Sequence, residues 1–430
     1  MTSPAPPPAS TELDTLILGG GIAGLWTLAL LRARGVDAHL IDIAPLGTGQ
    51  TLWSQGIIHG GIKYALGGAA SAASRAIAEM PERWAAALRG EGEVALAGVD
   101  VLSARQLLWT TPGLISRVAG AAASQAIRTA VDRVRRAELP ALFAAAPRGV
   151  DVYSAGEPVL DPRSVLEALR GPHAERARRA VAIESISAGA ANAPVVVSVR
   201  SDAGAVVALS ARRVLCMAGA GNERLAALAG IDAPMQRRPL HMVIARIPGG
   251  VLRPVAARDS AGPAPRDAML FGHCLGASTV PRITITSQRD DRGDVVWLIG
   301  GALAETGVAR GAPAQITSAR AELAACLPWL DLSALELTAG RIDRAEGLTP
   351  GGTRPDVPLL HSAPGAPIAF AWPTKLAFAP LLAEMAAEFI GAPATKSMSA
   401  SPPKKPSPGV LRSLPAAQVA RRPWESSPSS

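Results

Sequence analysis

The chain has 430 residues, 48% apolar and 18% charged, a length that predicts two or three domains and a composition that excludes collagen, coiled coil and full disorder. The formal net charge is +8, and the stretch Pro393–Ser430 supplies +5 of it through Lys396, Lys404, Lys405, Arg412, Arg421 and Arg422 against Glu425. A basic tail over a nearly balanced body argues against a nucleic-acid-binding protein. Three well-separated cysteines, Cys216, Cys274 and Cys326, with no CxxC, exclude a disulfide framework and a cysteine zinc site, and point to a reducing, cytoplasmic setting.

Residues 1–12 lack a basic n-region and read as a disordered N-terminus rather than a leader. Thr15–Leu18 is an apolar strand, Ala23–Ala33 has a helical pattern stopped by Gly35, and Asp37–Ile43 is a second strand. This βαβ unit of about 30 residues predicts a parallel sheet. The apolar run Leu16–Leu31 is short for a membrane span and holds four glycines. Ala69–Leu88 reads as a helix disturbed at Pro81. The basic segment 114–136 reads as a solvated helix face, and a helix lying on an anionic membrane is the less favoured alternative. Leu160-Asp161-Pro162 opens the helix Arg163–Leu169.

Val181–Ser187, Val195–Val199 and Ala205–Leu209 predict an antiparallel meander, and Arg213–Ala218 a separate buried strand ending in Gly219-Ala220-Gly221. Pro239–Ile247, Arg282–Ser287 and Val295–Gly300 predict a second, antiparallel sheet. Gln315–Cys326 is a helix, Ile368–Ala371 a strand, and Leu376–Ile390 the last helix. The Ser-, Pro- and Lys-rich composition after Ala392 predicts a disordered tail.

Gly19-Gly20-Gly21-Ile22-Ala23-Gly24 is a G-x-G-x-x-G between strand and helix. Gly19 permits the turn, Gly21 lets a pyrophosphate approach the backbone, and Gly24 lets helix and strand pack closely. The helix N-terminus offers N–H groups to phosphate. Asp42, 18 residues after Gly24, ends the next strand, where an acid can bind ribose hydroxyls. These features predict a dinucleotide site and leave NAD and FAD both open.

The polar segment Thr48–Tyr64 (TGQTLWSQGIIHGGIKY) resembles the corresponding segment of FAD-dependent oxidoreductases of the D-amino-acid oxidase (DAO) superfamily. Its Ile58-His59-Gly60-Gly61 core is most similar to the 2-hydroxyglutarate oxidases and flavin-linked glycerol-3-phosphate dehydrogenases. Pro158–Leu169 is similar to the superfamily's valine-aspartate-proline element, and Val214–Asn222 to the strand and turn that close over FAD. The resemblance implies an α/β protein with a doubly wound, Rossmann-like FAD-binding domain and an antiparallel-sheet substrate domain. It divides the chain into FAD-binding parts 13–92, 150–235 and 331–392, substrate parts 93–149 and 236–330, and the termini 1–12 and 393–430. It adds Gly60, Gly61, Gly219 and Gly221 to Gly19, Gly21, Gly24 and Asp42 as cofactor-binding residues. One departure stands out. Where many members carry a glycine-rich loop before the last helix, this chain has Ala371-Trp372-Pro373-Thr374-Lys375.

The implied reaction is hydride transfer to FAD from a small 2-hydroxy acid, amino acid or glycerol phosphate, with oxygen, a quinone or another carrier taking the electrons. His59 has three readings: a proton acceptor, a packed neighbour of the flavin, or a covalent attachment point. His241 begins a strand of the substrate sheet and faces the pocket or away from it. An anionic substrate needs cations, and Lys63, Arg237, Arg238, Arg341, Arg354 and Lys375 are the candidates. Arg354 stands out in the loop Gly351–Pro355, and Lys375 at a helix N-terminus beside the flavin. The catalytic set is therefore His59, Arg354 and Lys375, with no metal. The competing functions are a non-catalytic FAD-binding assembly protein and an NAD-dependent dehydrogenase.

Overall fold

The computed structural model describes residues 10–60, 76–111, 131–187, 193–255, 265–278, 280–394 and 409–425. The expected βαβ unit is present as β1 (Ser10–Leu18), α1 (Ile22–Ala33) and β2 (Ala38–Asp42). Its strands are joined in a parallel sheet in the order Ile368–Trp372, Val206–Cys216, β1, β2, Ala177–Arg179, with antiparallel Leu359–His361 at one edge. Strands buried on both faces must be apolar throughout, and Leu16, Ile17 and Leu18 are fully buried in β1. One face packs on α1 and the helices Met80–Arg89, Pro162–Arg170 and Ala379–Ile390. The other packs on the helix Asn222–Ala229 and the meander. Helices on both faces make the sheet doubly wound.

The meander forms from Ala182–Ser187, Val195–Arg200 and the first half of Val206–Cys216. The last two expected strands are one: Val206–Ala211 pairs with the meander, and Leu209–Cys216 pairs with β1. Ser210 and Arg212 interrupt the apolar pattern between the two expected strands, but a strand passing from a half-exposed ribbon into a buried sheet changes its pattern midway. Pro81 opens the helix Met80–Arg89, where a missing N–H costs nothing. The expected helical residues 69–75 and most of the basic segment 114–136 lie outside the described residues. Among the described residues no helix is long and apolar enough to cross a membrane.

The second sheet has eight strands, antiparallel except where Gln106–Trp109 runs parallel to Gly272–Cys274. Its longest pairing joins Met235–Ile247 to Glu336–Gly347. The sequence reading grouped Glu336–Gly347 with the cofactor-binding residues 331–392, and the ladder places it in the substrate sheet instead. Trp297, Ile285 and Val243 bury one face of this sheet beneath the helix Ala312–Cys326. The other face looks back toward the parallel sheet.

The tail also differs from expectation. Residues 409–425 lie along the edge of the parallel sheet, with bridges Arg178–Ala416 and Leu46–Val419. Leu411, Leu414 and Ala417 are fully or almost fully buried. Arg422 Nη2 donates at 2.6 Å to Asp161 Oδ2, and Asp161 also caps its helix through the N–H groups of Arg163 and Ser164. The basic, proline-rich average of the tail concealed an apolar stretch, and burying each leucine contributes roughly 1.5–3 kcal/mol. Arg422→Ala should therefore cost about 1–3 kcal/mol, because Asp161 is 2% exposed and would lose a charged partner while keeping its two backbone bonds. Deleting 409–430 should cost more. Urea midpoints equal to wild type in both proteins would show that the segment is not docked.

Candidate functional site

A cavity of about 890 Å³ lies where the carboxyl ends of the parallel strands meet the open face of the second sheet. This is where an open α/β sheet binds ligands, since the helix N-termini point there. Gly20, Asp42, the turn Met217–Gly221 and Pro373–Leu376 line it from the parallel strands. Leu240, Met242, Thr284, Gly300, Ile342 and Arg344 line it from the second sheet. Thr48–Gln55 and His59 run between the two.

At the end near β1, Gly21 is the N-cap of α1 and carries no side chain to close the helix terminus. The Ile22 N–H goes to Thr51 Oγ1 at 3.2 Å. A Cβ on Gly24 would sit 1.9 Å from the Gly19 carbonyl oxygen, so only glycine lets α1 lie this close to β1. Asp42 Oδ2 accepts the Gly20 N–H at 2.5 Å, and Oδ1 the Ala44 N–H at 3.0 Å. Burial pushes the Asp42 carboxyl up from its ordinary value, and backbone N–H donors from Ala44, Gly20 and Ile43 act against that. A Cβ on Gly219 would meet nothing within 4 Å, so the turn leaves open space at the cavity wall. A helix N-terminus whose N-cap carries no side chain, an approachable glycine backbone and an acid at the end of β2 are what the pyrophosphate and ribose of a dinucleotide need. These residues fit FAD.

At the opposite end His59 Nδ1 lies 3.2 Å from Glu157 Oε2. Glu157 is 6% exposed, and its Oε1 accepts the Gly60 N–H at 2.7 Å. His273, on the strand Gly272–Cys274, stacks near His59 with ring centroids 6.5 Å apart, and its Nδ1 is 2.8 Å from Thr284 Oγ1. Gln55 Nε2 donates to the carbonyls of Thr284 and Leu298, each at 2.9 Å, and so fixes the segment before His59 to the second sheet.

Four cations line the cavity. Arg341 donates to the carbonyls of Val308 and Arg310. Arg344 Nη2 lies 3.5 Å from Glu305 Oε1. Burial, then Arg238, lowers the Arg344 pKa. Arg354 is exposed at the rim and pairs with no carboxylate among the described residues. Lys375 precedes a 3-10 turn, Leu376–Phe378, that leads into the helix Ala379–Ile390, and its Nζ is 5.2 Å from the Phe378 ring. Thr374 before it has φ 60°, and Lys375 N–H closes onto the Pro373 carbonyl at 2.6 Å. A threonine held in that region is strained, as backbones lining active sites often are.

The cavity thus brings together His59, Arg354, Lys375, Gly21, Asp42, Gly219 and Gly221. Gly19 and Gly24 shape the turn behind it, and Gly60 holds Glu157. Gly61 and Lys63 lie outside the described residues. Arg237 pairs with Glu223 and Asp343, and Arg238 with Glu346, so neither faces the cavity. His241 is buried against the Gly307 carbonyl, away from it. Glu157, His273 and Gln55 were not singled out from the sequence: Glu157 and His273 carry no motif, and Gln55 lies unmarked inside Thr48–Tyr64. Among the described residues no group of His, Cys, Asp and Glu could hold a metal ion.

Comparison with known proteins agrees with this geometry. The family model described as FAD dependent oxidoreductase, DAO, matches residues 14–389. The chain is 41% identical over 379 residues to "Probable FAD-dependent oxidoreductase PA4991" of Pseudomonas aeruginosa, covering 88% of this chain and 90% of that protein. The crystal structure of that protein superposes with a TM-score of 0.74, at 34% identity over 97% of this chain and 99% of the other. Two more distant structures share the fold. Glycine oxidase from Geobacillus kaustophilus has a TM-score of 0.61 at 16% identity, over 89% of this chain and 96% of its own. L-alpha-glycerophosphate oxidase from Mycoplasma pneumoniae, solved with FAD bound, has a TM-score of 0.60 at 15% identity, over 90% and 97%.

A branched side chain at Gly21 would enter the approach to the helix terminus, its Cβ already 3.1 Å from Thr51 Oγ1. Gly21→Val should purify folded but with most of its flavin lost, read as the ratio of visible to ultraviolet absorbance. A full complement of FAD in that variant would show that the terminus does not face the cofactor.

Proposed function

This chain belongs to the DAO family of FAD-dependent oxidoreductases, and we propose that it oxidises a small anionic alcohol, a 2-hydroxy acid or a glycerol phosphate, at the carbon bearing the hydroxyl. Amino acids, oxidised at C–N, are the alternative substrates. The NAD-dependent and non-catalytic readings of the sequence give way to the family match.

The observation that carries the proposal is that His59, Arg354 and Lys375 line the same cavity as the glycine turn and Asp42. FAD, when bound, supplies the hydride acceptor. An alcohol must also lose its hydroxyl proton, and an imidazole is suited to take it near neutral pH. Arg354 holds no carboxylate among the described residues and can clamp the substrate's carboxylate or phosphate with two N–H groups. Lys375 adds positive charge at the head of the 3-10 turn, where it would favour the negative charge of a reduced flavin. The Trp53 ring lies against Gly340 of the second sheet, where a Cβ would come within 2.2 Å, and helps close the cavity to water. The electron acceptor is oxygen, a quinone or another carrier. The three cysteines are free and buried, in keeping with a reducing, cytoplasmic location.

Anaerobic addition of lactate, 2-hydroxyglutarate, glycerol 3-phosphate and amino acids to the purified holoprotein tests the reading. Bleaching of the flavin by a hydroxy acid or glycerol 3-phosphate is the expected result, and bleaching by amino acids alone would overturn the alcohol assignment. With the substrate found, His59→Asn should keep its FAD and lose roughly 10²–10⁴-fold in reduction rate. Arg354→Met should act mainly on KM. Lys375→Met should keep FAD but show a lower flavin midpoint potential in a dye-equilibrium titration, and an unchanged potential removes Lys375 from the site.

A further inference from the structure

We infer that Glu157 is the positioning residue for His59, holding the imidazole in the tautomer whose Nε2 can accept a proton. The inference rests on the proton-acceptor role proposed for His59. Glu157 lies in the short link between the strand Val152–Ala155 and Val159-Leu160. That link is clamped to the histidine's own segment: the Ile58 N–H donates to the Pro158 carbonyl at 2.9 Å, and Ile57 bridges Val159. Glu157 and His59 therefore face each other because two backbones are tied side by side.

The donors around Glu157 define its state. Oε1 accepts the Gly60 N–H at 2.7 Å, Oε2 receives Gln106 Nε2 at 3.3 Å, and His59 Nδ1 is 3.2 Å from Oε2. Two N–H donors favour the carboxylate form of Glu157, and a carboxylate only accepts. In that pairing His59 Nδ1 carries the proton and Nε2 the lone pair. When Nε2 takes a proton, the imidazolium is stabilised by the carboxylate a hydrogen bond away. Glu157 is 6% exposed and the His59 side chain 31%, so the carboxylate side of the pair is sheltered while the imidazole reaches the cavity.

His273 also faces His59, stacked at 6.5 Å, and its Nδ1 is engaged with Thr284 Oγ1. Two protonated imidazoles this close would repel each other.

Histidine side-chain nitrogen NMR on the holoprotein tests the inference without substrate. The chain has six histidines, so the His59 signals can be assigned by their loss in His59→Asn. The expected wild-type result is a neutral His59 with its proton on Nδ1. In Glu157→Gln the His59 titration midpoint should fall by about one pH unit, and the acid limb of kcat should move the same way while KM changes little. Glu157→Asp should recover part of the shift. A neutral wild-type His59 protonated on Nε2, or the same midpoint in wild type and Glu157→Gln, overturns the inference. The wild-type tautomer decides the matter even if Glu157→Gln does not fold. Failure of every substrate to bleach the flavin would instead count against the proposed function, with the tautomer still measurable.

Discussion

The two sheets meet along one strip of chain, residues 47–60, and the site depends on how closely that strip can lie on its neighbours. Gln50 Oε1 accepts the Ala345 N–H at 3.0 Å, and Gln55 spans the carbonyls of two adjacent strands. The Trp53 ring occupies the space a side chain at position 340 would need. These contacts join a dinucleotide-type domain to an antiparallel domain through side-chain amides that satisfy backbone groups of the second sheet. Buried backbone groups must find partners, so the strip cannot slide without leaving several of them unpaired. The same strip carries Thr51 to the helix terminus at one end and His59 to the opposite end. The helix terminus and His59 are thereby fixed relative to each other.

The parts that were legible in the sequence are those where one physical rule acts alone. Glycine spacing between a strand and a helix has few explanations, and the βαβ unit with Asp42 follows from it. Glu336–Gly347 was hidden because it has no apolar run: Glu336, Arg341, Asp343 and Arg344 interrupt it, and Gly340 sits mid-strand. Its twelve-residue register with Met235–Ile247 is a tertiary fact. The docked segment 409–425 was hidden for another reason, since composition averages a few buried leucines with many prolines and serines. Glu157 and His273 became visible only when distant segments came together. His59 was visible because it lies within a motif-like stretch.

Charge in the cavity is arranged so that most cations are already occupied. Arg341 is spent on two carbonyls, Arg344 lies near Glu305, and Lys375 stands over Phe378. Arg237 and Arg238 are drawn away by Glu223, Asp343 and Glu346. An arginine already satisfied gains little from a second anion, since its desolvation is shared. Arg354 is exposed and, among the described residues, pairs with no carboxylate. Of the four cavity cations it is the one whose charged group is not already engaged, among the described residues, by a backbone carbonyl, a carboxylate or a ring.

The C-terminal segment links stability to the cofactor. Its residues 418–420 exchange backbone hydrogen bonds with Leu46, and the next residue, Gly47, gives its N–H to the Gly20 carbonyl of the glycine turn. Further on, the Trp424 carbonyl accepts from Arg246 of the second sheet, and Trp424 packs with Met242 and Ile244. The segment thus touches both domains and the start of the strip that lines the cavity. A ligand that binds only when the strip is in place stabilises whatever holds the strip there, and by linkage the holding segment strengthens ligand binding by the same free energy. The apolar residues Leu411, Leu414 and Ala417 are buried in the segment that holds the strip, and none of them lines the cavity.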